Sequence, residues 1–226
     1  MGLRAELIAL VAPPACAACG APLAGARERL CVACTRALPW LRGSPCPRCA
    51  LPSHRARACP AARAAFPRAW APLAYEGVAR ALVRALKFRG ALPVADLMAA
   101  HMAANLPAPL RAPAAAIVPV PPQRARRRRR GFDPADALAA ALARRLDRPL
   151  VRCLGRGDHA GRQVGATRAA RRRPGRLEIM ASRAPPPLVL LVDDVHTTGA
   201  TLDAAARALT GAGAEIVAAI TYARTL

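Results

Sequence analysis

Aromatic residues are scarce in this chain of 226 residues, at 3% of the sequence. The sequence is nevertheless 54% hydrophobic, so the core must be built mainly from Ala, Leu and Val. Such residues suit helices and buried parallel strands better than an aromatic-rich β-sandwich. An all-β fold is therefore disfavoured, and the length allows one α/β domain with a small additional module.

Acidic residues are also few, with 13 Asp and Glu against 35 Lys and Arg. Lys87 is the single lysine, so nearly all of the positive charge is carried by arginine. A coding bias explains arginine in place of lysine, but it does not explain the net charge of +22. The excess charge favours polyanionic partners such as nucleic acid, nucleotides or anionic lipid head groups.

Long hydrophobic runs are absent, since none approaches the roughly 20 residues of a transmembrane helix. The apolar stretch 7–12 is short and ends at Pro13, which argues against a signal peptide. The sequence therefore predicts a cytoplasmic protein without a membrane span. Its eight cysteines then indicate metal binding rather than disulfides, because six of them form Cys-x-x-Cys pairs.

The first two cysteine pairs have the spacing of a zinc site. Cys16-x-x-Cys19 and Cys31-x-x-Cys34 are separated by eleven residues, which lets two thiolate turns close one tetrahedral site. Buried or redox-active thiols are the alternative, but they have no reason to recur at this spacing. We expect about one structural zinc ion per chain.

The remaining cysteines of this region form an incomplete set. Cys46, Cys49 and Cys59 supply three ligands, while Ala62 stands where a fourth cysteine would complete a pair. His54 can replace it only if the short loop folds back. The sequence favours a degenerate second site held by packing. It predicts a cysteine-rich zinc-ribbon module at 1–64 and a second domain at 65–226.

The rest of the chain alternates helical and strand patterns. Helical spacing occurs at 75–87, at 92–105 and at 201–210, and short apolar runs at 117–121, 188–192 and 215–221 indicate strands. Asp133 and Pro134 are a cap and a first helical residue, so a further helix is predicted from 134 to about 145. A strand, a loop, a helix and a strand in succession predict a parallel sheet.

The segment 188–201 carries the strongest functional signal. Asp193 and Asp194 follow a buried strand, at the edge where open parallel sheets bind ligands. A small, hydroxyl-rich stretch then leads into a helix, and its backbone N–H groups can hold a phosphate. The alternative is that the acids cap a turn and the threonines cap the helix.

The whole string from Val189 to Thr201 resembles the motif with which type I phosphoribosyltransferases bind phosphoribosyl pyrophosphate. The resemblance implies that Asp193 and Asp194 hold the ribose hydroxyls. It also implies that Mg²⁺ accompanies the ligand and that carboxylates stabilise positive charge on the ribose. The implied contacts to the 5′-phosphate are Thr197, Thr198, Gly199, Ala200 and Thr201.

Further segments resemble the ComF family of competence proteins, in which a cysteine-rich N-terminus precedes a phosphoribosyltransferase-like sheet flanked by helices. These segments are Leu86-Lys87-Phe88-Arg89-Gly90, Val118-Pro119-Val120-Pro121, Arg130-Gly131-Phe132 and Ala223-Arg224-Thr225-Leu226. The family resemblance implies a role in DNA uptake, with single-stranded DNA and a competence helicase as partners. Asp133 departs from the family pattern, which usually has Asn there.

An arginine-rich run follows the predicted strand at 117–121. Arg126 and Arg130 align with basic positions of the family, which implies contact with pyrophosphate or with a DNA backbone. A solvated charge run is the plainer interpretation. No general base is identifiable, so a transferase, a ligand-binding competence protein and a docking element with a vestigial site all stay open. The intact acids and Gly199 count against the third.

Overall fold

The computed structural model describes residues 14–25, 27–54, 59–89, 92–111, 114–122, 131–156 and 179–226. A five-stranded sheet lies at the centre of the molecule, and all of its strand pairings are parallel. Its strands are β1 (Arg68–Trp70), β2 (Leu73–Ala74), β3 (Ala116–Pro119), β6 (Leu188–His196) and β7 (Ile216–Arg224). A separate antiparallel pair is formed by β4 (Leu154–Arg156) and β5 (Ile179–Ala181).

The central sheet has the order β1-β7-β6-β3, and β2 pairs with the far end of β7. Helices lie on both faces of it, and the predicted α/β class with a parallel sheet flanked by helices is confirmed. The described α-helices are α1 (Val32–Arg36), α2 (Gly77–Arg89), α3 (Leu92–Asn105), α4 (Pro134–Leu146) and α5 (Ala200–Gly211).

The two faces of β6 pack into different hydrophobic layers. Leu190 and Val192 face the layer formed with α2, α3 and α4. Val189 and Leu191 face the opposite layer, which includes α5. Because both faces are buried, the strand needs a continuous apolar run rather than an alternating one, and the sequence supplies it.

The strand β6 is longer than the sequence pattern predicts, since it continues past Val192 to His196. It does so because β7 pairs with it as far as Arg224. On its other side β3 ends at Pro119, and the prolines at 121 and 122 have no N–H for further pairing. Asp193, Asp194 and Val195 of β6 therefore border a crevice beside the end of β3.

Two helix predictions are confirmed. The helix α3 spans the predicted residues 92–105, and the Asp133 carboxylate caps α4 by accepting a hydrogen bond from the N–H of Ala135 at 3.0 Å. The helix α2 begins at Gly77 instead of Tyr75. The reason is that the Tyr75 N–H donates to the carbonyl of Arg224, which keeps this residue beside β7.

The cysteine-rich segment contacts the sheet through its second half. Cys49 and Ala50 are fully buried in the same hydrophobic cluster as Leu191 and α5. Cys16 and Cys34 form a separate small cluster. A domain boundary at 64 stays a prediction. Within the described ranges, no helix combines the length and the apolar character that a membrane span requires.

Candidate functional site

The two acids of β6 lie in the part of the strand that extends past β3. Asp194 forms an ion pair with Lys87 of α2, with 2.7 Å between Oδ1 and Nζ. These side chains are only 10% and 24% exposed, so the pair is shielded from water. The Oδ1 atom of Asp193 accepts a hydrogen bond from the N–H of Asp194 at 2.8 Å.

Burial and, after it, the negative charge of Asp194 raise the pKa of Asp193 to about 7. The hydrogen bond from the N–H of Asp194 and the charge of Lys87 oppose this rise without cancelling it. Near neutral pH the carboxyl of Asp193 is therefore divided between its protonated and ionised forms. A cation or a hydroxyl donor in the crevice would favour its ionised form.

We expect Asp193→Asn to increase the free energy of unfolding of the ligand-free protein relative to the wild type. This increase should be larger at pH 8 than at pH 4 by about 1 kcal/mol or more. Since the folded pKa of about 7 exceeds the unfolded value near 3.8, the folded state holds its proton more tightly. The free energy of unfolding contributed by this group therefore falls as the pH rises through that interval. Denaturant unfolding of both proteins at the two pH values measures the difference. The exposed Asp96 of α3 supplies the control Asp96→Asn, and an equal effect there would contradict the prediction.

The turn between β6 and α5 depends on a glycine. Gly199 has φ +81°, a conformation that favours glycine, and a Cβ there would lie 2.8 Å from Nε2 of His196. Gly199 is also the N-cap of α5 and makes no side-chain cap bond, while the N–H of Ala200 donates to Oγ1 of Thr198 at 3.4 Å. The N-terminus of α5 can therefore bind an anion, with the helix dipole favouring negative charge.

These elements border a cavity of about 260 Å³. Lys87 and Arg156 contribute positive charge to its wall, and three aspartates contribute negative charge. The Arg156 side chain also donates from Nε to the carbonyl of Pro121 at 2.9 Å. Such a mixed lining suits a ligand that carries both hydroxyl groups and phosphate. The other described residues of the wall are Val120, Pro121, Pro122, Asp133, Pro134, Ala135, Asp193, Asp194, Val195, Thr197 and Thr201.

The structure brings together most of the site residues that the sequence predicts. Asp193, Asp194, Thr197 and Thr201 line the cavity. The other three, Thr198, Gly199 and Ala200, form the turn and the start of α5 without lining it. Arg126 and Arg130 lie outside the described residues.

Sequence reasoning did not place Lys87, Asp133 and Arg156 at this site. A signal for Lys87 was present, because a chain that uses arginine almost everywhere retains one lysine there. Burial chiefly, with the charges of Asp136 and Asp194, raises the pKa of Asp133 to about 6. A protonated Asp133 offers one donor and one acceptor, as the asparagine of the family pattern does.

A larger cavity of about 570 Å³ lies elsewhere, between the cysteine-rich segment and the core. Trp40 and Trp70 line it together with Arg42 and Arg68, and no aspartate or glutamate is among its described lining residues. It is therefore not the crevice of Asp193 and Asp194. Chemistry, rather than volume, assigns the candidate ligand site to the smaller cavity.

The first cysteine cluster has the geometry of a tetrahedral metal site. The ligand atoms of Cys16, Cys19, Cys31 and Cys34 all lie within 4.8 Å of one another. The Sγ atoms of Cys19 and Cys31 are 3.8 Å apart. Two thiolates bound to one zinc ion at about 2.3 Å and the tetrahedral angle are about 3.8 Å apart as well. The four side chains therefore fit zinc.

Backbone hydrogen bonds lower the pKa of one thiol in this cluster. Burial would raise the pKa of Cys16, but N–H groups of Cys19, Cys31 and Ala18 outweigh it and lower the pKa to about 6. The N–H of Cys34 likewise donates to Sγ of Cys31 at 3.4 Å. Since the thiolate is the form that binds metal, the lowered pKa of Cys16 favours its ligand state, whereas burial and the neighbouring thiols raise the pKa of Cys34.

A second cluster contains the fourth ligand that the sequence alone did not supply. The loop brings His54 to Cys46, Cys49 and Cys59, and the four ligand atoms lie within 4.8 Å of one another. Sγ of Cys46 is 4.0 Å from Sγ of Cys59. Three thiolates and one imidazole are a common structural zinc set. The sequence predicts a degenerate second site because Ala62 stands where a fourth cysteine is expected. In the structure His54 supplies the fourth ligand atom instead.

Comparison with known proteins agrees with these clusters. Residues 7–63 match the model of a double zinc ribbon domain. A 105-residue stretch is 38% identical to Competence protein F of Haemophilus influenzae, covering 44% of this chain and 46% of that relative. The chain thus matches about half the length of the relative. The predicted resemblance to ComF competence proteins and the predicted zinc ribbon are confirmed.

Proposed function

We propose, from the likeness to Competence protein F and from the chemistry of the crevice, that this chain binds phosphoribosyl pyrophosphate together with Mg²⁺. The observation that carries the proposal is the adjacency of two aspartates at the end of β6 to the N-terminus of α5 across a glycine turn. Carboxylates accept hydrogen bonds from ribose hydroxyls, and the helix N-terminus accommodates a phosphate.

In this proposal each part of the cavity holds one part of the ligand. Asp193 and Asp194 bind the ribose hydroxyls, and the segment 197–201 binds the 5′-phosphate through N–H groups and threonine hydroxyls. Lys87, which pairs with Asp194, and Arg156 are proposed to contact the pyrophosphate. Arg126 and Arg130, outside the described residues, are proposed to add to this contact.

The cavity also fits Mg²⁺, which prefers oxygen ligands and usually binds through one or two carboxylates and substrate phosphates. Asp133, Asp193 and Asp194 are the carboxylates among the described residues that line it. When bound, the ion would neutralise charge on the pyrophosphate. Calorimetric titration of the protein with phosphoribosyl pyrophosphate, with and without Mg²⁺, tests the proposal. No heat of binding at millimolar ligand would contradict it.

The biological role that we propose is in DNA uptake during natural transformation, in the cytoplasm, with single-stranded DNA and a competence helicase as partners. The net charge of +22 supports a nucleic-acid partner. In this arrangement the segment 1–64 is a structural zinc module, and 65–226 is the ligand-binding domain.

We expect weak binding of single-stranded DNA with a steep salt dependence. Aromatic side chains are too few to offer many stacking surfaces, so phosphate contacts dominate. Fluorescence anisotropy with a labelled oligonucleotide should show affinity falling at least about a hundredfold between roughly 50 and 200 mM salt. The basic segments 124–130 and 168–176, outside the described residues, are expected to supply the contacts.

The matched test for that prediction replaces Arg126 and Arg130 with glutamine, which should weaken binding. The slope of the logarithm of the binding constant against the logarithm of the salt concentration should become shallower by about one for each lost contact. The exposed Arg144 of α4, which pairs with Asp96, supplies the control Arg144→Gln. A complex insensitive to salt, or an equal loss in the control, would count against contact at 126 and 130.

An active phosphoribosyltransferase in nucleotide metabolism or salvage, unrelated to competence, is the second candidate. One observation favours it: the raised pKa of Asp133, about 6, places a carboxyl suited to proton transfer on the cavity wall. Release of pyrophosphate with a panel of acceptor bases distinguishes the two. Release that depends on one base and disappears in Asp133→Asn, while ligand affinity persists, would favour the enzyme.

A further inference from the structure

The guanidinium of Arg224 is buried at the end of β7, in the terminal segment that the proposed ligand contacts do not use. The residue is 4% exposed. Its Nε donates to the carbonyl of Cys49 at 2.8 Å. Its Nη1 lies 2.8 Å from the carbonyl of His196 and 2.6 Å from that of Thr197. One side chain therefore joins a turn of the second cysteine cluster to the start of the segment before α5.

This contact is built into the fold rather than formed by chance on the surface. Arg224 pairs with His196 in the β6–β7 register, so its backbone position is fixed by the sheet. Among the described residues, no carboxylate forms an ion pair with it. A buried guanidinium without such a partner depends on carbonyl acceptors, so displacing one of them disturbs the rest.

The same segment is held from a second direction. The ring of His196 meets the ring of Phe66 edge to face, with 6.1 Å between their centres. Phe66 and Cys49 are buried in one hydrophobic cluster. Gly199 packs so closely on His196 that a Cβ would come within 2.8 Å of Nε2. The conformation of the turn 197–199 thus depends on where His196 and the Cys49 carbonyl lie.

We propose that Arg224 is a positioning residue that transmits metal occupancy of the second cluster to the turn 197–199. A metal ion on Cys46, Cys49, His54 and Cys59 fixes the turn that presents the Cys49 carbonyl. Arg224 then holds the carbonyls of His196 and Thr197 in the arrangement that exposes the α5 N-terminus. The inference rests on the proposed binding of phosphoribosyl pyrophosphate at this turn.

The test compares the loss of one ligand from each cluster in the full-length protein. Cys59→Ser removes a ligand of the second cluster without touching Cys49, and Cys31→Ser is the matched change in the first cluster. Cys59→Ser should weaken binding of phosphoribosyl pyrophosphate by about tenfold or more and should speed amide hydrogen exchange at 197–201. Cys31→Ser should change affinity by no more than about twofold and leave that exchange unchanged.

A double-mutant cycle identifies Arg224 as the connection. Arg224→Lys keeps the positive charge but not the planar fork of donors. In this background, Cys59→Ser should lower the affinity for phosphoribosyl pyrophosphate by no more than about a further twofold. Additive losses would overturn the proposal, as would equal effects of the two cysteine variants. Elemental analysis that finds no metal on the second cluster of the wild type would also overturn it.

Hydrogen exchange keeps this inference separate from the proposed function. If the wild type takes up no phosphoribosyl pyrophosphate, the proposed function fails, and exchange at 197–201 in the two cysteine variants still decides the coupling. If Arg224→Lys does not fold, hydrogen exchange at 197–201 in Cys59→Ser and Cys31→Ser still decides whether the second cluster is coupled to the turn. Unchanged exchange in Cys59→Ser, with its metal content reduced, would overturn the coupling even where ligand binding is confirmed.

Discussion

Replacing Asp193 and Asp194 together by asparagine is expected to weaken binding of phosphoribosyl pyrophosphate by orders of magnitude while the protein stays folded. Each carboxylate would lose a charge-assisted hydrogen bond to the ligand, and such a bond contributes about 1.5–3 kcal/mol. Two losses correspond to a weakening of about a hundredfold or more. The amide has the same shape, so a carbonyl oxygen at 193 can still accept from the N–H of residue 194.

The two acids affect stability in opposite directions, which is why the double variant should unfold near the wild-type temperature. Burial and the charge of Asp194 raise the pKa of Asp193, which means that they disfavour its ionised form. Asp193→Asn should therefore stabilise the folded state at neutral pH. Asp194→Asn removes the shielded ion pair with Lys87 and is destabilising. Because the two effects have opposite signs, their sum is smaller than the larger of them.

Calorimetry with Mg²⁺ and thermal unfolding without ligand are the two measurements required. Asp96→Asn, an exposed carboxylate in an ion pair with Arg144, is the control and should bind ligand as the wild type does. Wild-type affinity in the double variant would remove the two acids from the ligand site. Unfolding of the double variant would instead favour the interpretation of the acids as caps of a turn.

The zinc content is the second large effect, and we expect two tightly held zinc ions per chain. The structure places four ligands in each cluster, whereas the cysteine spacing alone predicts about one zinc. Structural zinc supplies roughly 10–16 kcal/mol of apparent binding free energy in small domains, so loss of one ligand should release the ion and unfold its ribbon locally. Cys31→Ser and Cys59→Ser should each lower the content by about one ion.

Elemental analysis after gel filtration measures these contents, and Cys153→Ser is the control. Cys153 is fully buried but belongs to neither cluster, so its loss should leave both ions in place. A wild type with one ion that Cys31→Ser removes and Cys59→Ser retains would restore the interpretation of a degenerate second site. Unchanged metal in Cys31→Ser would contradict the first site as well.

Several features of the fold follow from local sequence, because local interactions determine them. The continuous apolar run that begins at Leu188 predicts a strand buried on both faces, and Asp133 with Pro134 predicts the start of α4. The spacing of Cys16, Cys19, Cys31 and Cys34 likewise predicts one cluster, since the ligands of each pair lie within a single turn.

Other features depend on contacts between distant segments, which no local pattern encodes. The strand β6 continues through its acids because β7 pairs with them and because β3 ends at its prolines. Lys87 reaches Asp194 across 107 positions of the chain, and His54 completes a cluster only because its loop folds back onto the cysteines.

By itself the sequence determined the class of the fold, the first metal cluster and the glycine turn that leads into α5, since each of these is contained in a short run of residues. The tertiary structure alone decided which charges surround that turn and how the second cluster is connected to it. The contact from Arg224 to Cys49 spans 175 positions. Such a contact arises from the packing of the cysteine-rich segment on the sheet, and packing over that distance leaves no periodicity or spacing in the sequence to read.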